Sequence, residues 1–189
     1  MRLAKIFMAL TLGLSLSAWA EPLVVKIGSA APKTGGIAHL GIYNENGARL
    51  AVQDINAKGD LVINGQKVIL QLVCEDDQGD PKMGPVVAQK LVDEGVVAVV
   101  GHLNSGVSIP ANEVYAYAGM IQVSPSSSNP VYTTKNNLTP KGHVSGYRLV
   151  AHDGLNSQAL ANFILKNKKF EILSCCMMRP HTVKQVLKI

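Results

Sequence analysis

Two hydroxyl-rich segments stand at the ends of short β-branched runs. Val97-Ala-Val-Val-Gly101 stops in His102-Leu-Asn-Ser105-Gly-Val-Ser108, and Ile121-Gln-Val123 stops in Ser124-Pro-Ser-Ser-Ser-Asn-Pro130. The first leads into a segment able to form a helix. Hydroxyls and unpaired N–H groups at a helix start bind small anions, because aligned peptide dipoles leave partial positive charge there. The chemistry on offer is the holding of a carboxylate or phosphate, with no catalytic step required. Ser105 and the run Ser126, Ser127 and Ser128 are the candidate donors. By itself the serine run reads as loop filler. Its place after a strand, matching the Ser105 loop after a neighbouring strand, is what raises it.

Other chemistries lack their parts. Ser105 does not sit in a Gly-x-Ser-x-Gly elbow and no base lies near it in sequence, which argues against a serine hydrolase. There is no Walker loop, and Gly28, Gly35 and Gly36 do not make Gly-x-Gly-x-x-Gly. Asp76-Asp77 after a strand looks like an acidic phospho-acceptor pocket but reads better as a solvated loop capping the next helix. The five histidines do not pair at ligand spacing, so each is read as structural or surface. Zinc spacing is absent. No metal or cofactor is expected. Cys74 stands apart from the adjacent Cys175 and Cys176, and this gives no disulfide framework.

The elements that must position these hydroxyls alternate. Leu23 to Ile27 reads as a buried strand, followed by a Gly- and Pro-punctuated loop from Ser29 to Gly41. Ile42 to Ala57 places Ala48, Ala51, Val52 and Ile55 on one helical face, with Gly59 suited to end it. Val62-Ile63-Asn64-Gly65 reads as a strand and tight turn into a second main strand, Lys67 to Cys74. Met83 to Glu94 is a helix with Val86, Val87, Leu91 and Ala88 inward. Strands are expected at Val96 to Val100, Met120 to Val123, Val144 to Val150 and from Lys169. Helices are expected at Ile109 to Ala118 and Leu155 to Lys166. Repeated βα units of this length imply an α/β fold, with a mostly parallel sheet and helices on both faces.

Residues 1–20 have the form of an export signal. Arg2 and Lys5 precede an apolar run from Ile6 to Leu16, and Ala18-Trp19-Ala20 is a small-x-small cleavage site. That run is too short to span a bilayer, so no membrane insertion is expected once it is cleaved. The formal charge of +5 belongs to the two ends: Arg2 and Lys5, then Arg179, Lys184 and Lys188. The body between them is neutral, with no basic stripe for a nucleic acid.

Several segments taken together resemble the periplasmic Leu/Ile/Val-binding proteins, the solute receptors of branched-chain amino-acid ABC transporters. They are Asn46-Gly-Ala-Arg49, Asp54-Ile-Asn-Ala-Lys-Gly59, Glu75-Asp-Asp77 with Asp80-Pro-Lys82, Gly101-His-Leu103 with Ser105 and Pro110-Ala111, Ser124-Pro125 and Asn129-Pro130. The likeness runs from about Leu23 to Leu173. It implies one lobe of a type I periplasmic binding protein, with the second lobe largely missing. It also implies a branched-chain amino acid as ligand, an inner-membrane ABC permease as partner, and the periplasm as location. By motif position, Ser105 and the Ser126, Ser127 and Ser128 loop hold the ligand's carboxylate, and Leu40 falls in the loop that walls its aliphatic side chain. Many relatives join the acidic loop to the Gly-His-Leu loop by a disulfide. Here Gly79 and Asn104 stand at those places.

The resemblance implies a leader at 1–20, an N-terminal ligand-binding lobe at 21–142 and the start of a second lobe at 143–173. Residues 174–189 have no place in the family pattern. Met177-Met178 must be ATG-ATG, and regrouping the codons one base earlier yields His or Tyr, then Asp, close to what relatives carry there. The expectation is a reading frame lost near Leu173 and a truncated, non-functional product, which resequencing through the Cys175-Cys176 codons would test. Two rivals to a transport receptor are an exported sensor domain for another small amino acid or amide, and an α/β enzyme using Ser105. A base within reach of Ser105 would favour the enzyme.

Overall fold

A computed structural model of the protein describes residues 21–134 and 137–167. The expected leader, the strand expected from Lys169 and the tail lie outside the described residues. In chain order the elements are β1 (Leu23–Ala31), α1 (Ala38–Lys58), β2 (Val62–Ile63), β3 (Gln66–Asp76), α2 (Met83–Asp93), β4 (Ala98–Gly101), α3 (Ser105–Tyr117), β5 (Ile121–Ser124), a 3-10 turn (Pro130–Thr133), β6 (Gly146–Arg148) and α4 (Asp153–Asn167).

The strands form one six-stranded sheet in the order β2-β3-β1-β4-β5-β6. Every pairing is parallel except the β2–β3 hairpin. That hairpin turns on Asn64 and Gly65, both with positive φ, the backbone demanded by a tight two-residue turn. The path from β1 through α1 to β3 runs one way along the sheet, and the path from β3 through α2 to β4 runs back past β1. Right-handed crossovers therefore put α1 on one face and α2 with α3 on the other.

The main core lies under α2 and α3. Ala30, Val87, Ala88, Leu91, Val96, Val99, Ala111, Tyr115 and Met120 are buried there together. Each large apolar side chain removed from water contributes about 1.5–3 kcal/mol. On α2 the buried positions are Gly84, Val87, Ala88 and Leu91. Val86, expected inward, is 58% exposed. The α1 face is thinner: Ala48 is buried and Val52 half-buried, but Ala51 and Ile55 are exposed. Helix α1 docks at its start instead. A Cβ on Gly41 would lie 1.8 Å from the Pro32 carbonyl oxygen, so only glycine permits this approach. Farther along α1, Asn56 bonds both peptide groups of Leu70, satisfying β3 where β2 does not reach.

Strand β6 lies past residue 142, where the first lobe was expected to end, and it extends the same sheet beside β5. Among the described residues no helix is long and apolar enough to cross a membrane.

Candidate functional site

The sheet order reverses at β1, which has β3 on one side and β4 on the other. Ligands of open α/β sheets bind outside the carboxyl ends of the strands at such a reversal, because the loops leave in opposite directions and open a crevice. The chain at this point is built to let the loops approach closely. Gly101, at the end of β4, has φ +131°, and a Cβ there would sit 2.0 Å from the Ala30 carbonyl oxygen.

The two serine loops meet at this end of the sheet. Ser105 is the first residue of α3, after Asn104 in extended conformation. The Val107 and Ser108 amides both bond the Asn104 carbonyl, which leaves those of Ser105 and Gly106 with no partner inside the helix. The Ser105 hydroxyl accepts the Asn129 N–H at 3.2 Å, so its own proton is free to be donated outward. From the other loop, the Ser126 hydroxyl donates to the Leu103 carbonyl at 2.7 Å. These two bonds stitch the loops to one another.

Ser127 departs from its expected role. Its side chain is fully buried. Its hydroxyl lies 2.6 Å from that of Ser108 and 2.7 Å from that of Ser124. Ser108 and Ser124 both donate to the His102 carbonyl, at 3.1 and 2.7 Å. This buried hydroxyl knot pins β4, α3 and β5 under the loops and leaves Ser127 no hydroxyl to offer a ligand. Ser128 is half-buried, with its carbonyl accepting the Asp153 N–H at 2.9 Å. Leu40 lies in the first turn of α1, at the same end of the sheet, 44% exposed.

The acidic loop is not the solvated cap expected of it. Asp77 is fully buried, with one carboxylate oxygen 2.6 Å from His102 Nδ1 and the other accepting the Gly79 N–H at 2.8 Å. The far ring nitrogen of His102 lies 3.2 Å from the Tyr115 hydroxyl. Of the structural or surface roles open to each histidine, His102 takes the structural one, linking the loop after β3 to the loop after β4. Burial, and then the Asp77 charge, push the Tyr115 hydroxyl well above its usual ionisation range. Asp76 accepts bonds from the Lys33 N–H at 2.7 Å, the Thr34 hydroxyl at 2.7 Å and the Gln78 N–H at 2.8 Å. Burial raises its pKa, but these bonds outweigh burial and hold it below the usual carboxylate range. In the turn before α2, Asp80 accepts the Lys82 N–H at 2.8 Å.

Among the described residues the hydrogen-bond partner of the Ser105 hydroxyl is a peptide N–H, and the nearby imidazole is shut between Asp77 and Tyr115. Sequence reasoning missed Ser108, Ser124 and Arg148. The first two were visible in the motifs but read as loop, and Arg148 carried no local signal.

Residues 24–171 match the pattern of the periplasmic binding protein family. The chain belongs to that family. Its relatives include Leu/Ile/Val-binding protein homolog 3 of Brucella melitensis, 34% identical over 167 residues, which are 88% of this chain and 42% of that protein. The Leu/Ile/Val-binding protein BraC3 of Rhizobium johnstonii is 39% identical over 145 residues, 77% of this chain and 37% of the relative. Among solved structures, an ABC transporter substrate-binding protein from Desulfitobacterium hafniense in complex with leucine superposes with a TM-score of 0.60 at 32% identity. That match covers 76% of this chain and 39% of the other. The chain spans about two-fifths of the length of the curated relatives it matches. The fold is one lobe of a type I periplasmic binding protein.

Proposed function

We propose that this chain is the carboxylate-holding lobe of a periplasmic receptor for branched-chain amino acids, serving an ABC permease of the inner membrane. The observation that carries the reading is the Ser105 turn: a hydroxyl with its acceptor side filled by Asn129 and its proton free, beside two unpartnered amides at the start of α3. A carboxylate bound there accepts neutral donors near a positive helix end and needs no arginine. Each such charge-assisted bond is worth roughly 1.5–3 kcal/mol.

Ser105 and the amides of Gly106 and Ser128 are the proposed direct contacts. Ser126 holds the Leu103 peptide in place. Ser127 acts from below, through the hydroxyl knot. Leu40 stands where it can wall an aliphatic side chain. The groups gathered here are donors, suited to the acidic end of an amino acid, and its ammonium needs acceptors from elsewhere. Leucine binding by these residues is therefore weak. Cleavage of the leader after residue 20, and a second lobe fed by the chain beyond β6, belong to the same proposal.

The test is an amide NMR titration of the purified chain with L-leucine. Saturable shifts at Ser105, Gly106 and Ser128, with a dissociation constant on the order of millimolar, are expected. Absence of any shift at these amides, or affinity in the micromolar range, would overturn the reading.

A further inference from the structure

Arg148 ends β6, directly opposite Ser124 in the sheet register. From there its guanidinium reaches the whole serine loop. Nη1 donates to the carbonyls of Ser127 at 3.2 Å and Asn129 at 2.9 Å, and Nη2 to the carbonyl of Pro130 at 3.3 Å and to the Thr133 hydroxyl. Its plane also lies over Tyr132, with the guanidinium carbon 5.8 Å from the ring centroid. Three carbonyls within four residues thus turn toward one cation. A loop left to itself would turn them outward to water.

This has a geometric consequence. In a trans peptide the C=O of one residue and the N–H of the next point in opposite directions. With the Ser127 carbonyl held on Arg148, the Ser128 N–H faces away from the guanidinium. The next peptide is held in the same manner: the Ser128 carbonyl accepts the Asp153 N–H, and the Asn129 N–H points to Ser105. Two successive peptide planes are each fixed by the carbonyl end, and their amides carry the consequence.

We propose that Arg148 is a positioning residue for the anion cup, setting the Ser128 N–H by gripping the peptide in front of it. The inference rests on the carboxylate reading of the cup given above. It adds that this cation never touches the ligand and instead collects carbonyls so that amides face the anion. The planar fork is essential to this task, because three carbonyls and a hydroxyl are held by two nitrogens in fixed relation. An ammonium, with its compact charge, cannot span them.

The test compares the parent chain with Arg148→Met, Arg148→Lys and the milder Thr133→Val. The ligand-free readout is the residual dipolar coupling of the Ser128 amide. The ligand readout is its shift on addition of L-leucine. In Arg148→Met the Ser128 coupling changes and its leucine response is lost. The Gly106 amide still responds, and apparent affinity falls roughly tenfold, as for one lost charge-assisted bond. Arg148→Lys restores little of this, and Thr133→Val shows a partial change in the same direction. Parent-like Ser128 coupling in folded Arg148→Met, or in Arg148→Lys, would overturn the proposal. Should the parent itself fail to respond to leucine, the cup reading falls, and the coupling still decides whether Arg148 sets the Ser128 amide.

Discussion

A single hydroxyl carries most of the chemistry. Ser105 accepts from the opposite loop and has one proton left to give, so removing it breaks a loop contact and a ligand contact together. Ser105→Ala is expected to weaken leucine binding by about tenfold while moving the unfolding midpoint little, since the site is only half-buried. Titration and thermal melting of the same variant check this. Asp76 makes a different prediction. Its pKa is held down in the folded chain, so its stabilising effect is complete above the ordinary carboxylate range and is lost as pH falls through the folded value. Asp76→Asn should therefore lower the urea midpoint near neutral pH. The gap from the parent should close in acid, once both side chains are neutral. A gap that widened in acid would contradict the assignment.

At the level of elements, the loops are joined from beneath by buried polar links. Asp77 and His102 bridge the loop after β3 and the loop after β4 with neither group exposed. Replacing His102 by Leu leaves a buried carboxylate with only the Gly79 amide for company, which costs about 3–5 kcal/mol in urea unfolding. Asp77→Asn, still able to bond, should cost less. The strands and helices that built this framework were mostly legible in the sequence, because β-branched runs and Gly stops alternate at short intervals. What escaped was orientation. Val86 was read inward yet lies exposed, because at about 3.6 residues per turn it falls on the side of α2 opposite the buried Gly84, Val87, Ala88 and Leu91. Asp77 was read as solvated because acidic loops usually are, and its partner is 25 residues away. The serine loops were legible as a pair, but not the division of labour within them. The Ser126 hydroxyl is spent on the Leu103 carbonyl and that of Ser127 on buried hydroxyls, and one-dimensional spacing does not record those partners.

On the proposed reading, the described residues present the donor side of a site. One sheet end gathers donors with Ser105, Gly106 and Ser128, while the relatives it matches are more than twice as long. A carboxylate lacking the ammonium should then bind this chain about as well as leucine does. 4-Methylpentanoate, which is leucine without its amine, and leucine itself are expected to give dissociation constants within roughly twofold, because the two ligands offer the cup the same bonds. The neutral body adds a second consequence. Binding rests on short-range donors rather than on net charge, so added salt should change affinity little.

The central claim is that the cup grips the acidic end of an amino acid, and leucine against leucinamide tests it most directly. Leucinamide keeps the side chain and the amine but replaces the carboxylate with a neutral amide. Amide NMR of the chain should show saturable shifts at Ser105, Gly106 and Ser128 with leucine, and none at these positions with equal concentrations of leucinamide. Equal shifts with both ligands, or shifts with leucinamide alone, would contradict the account.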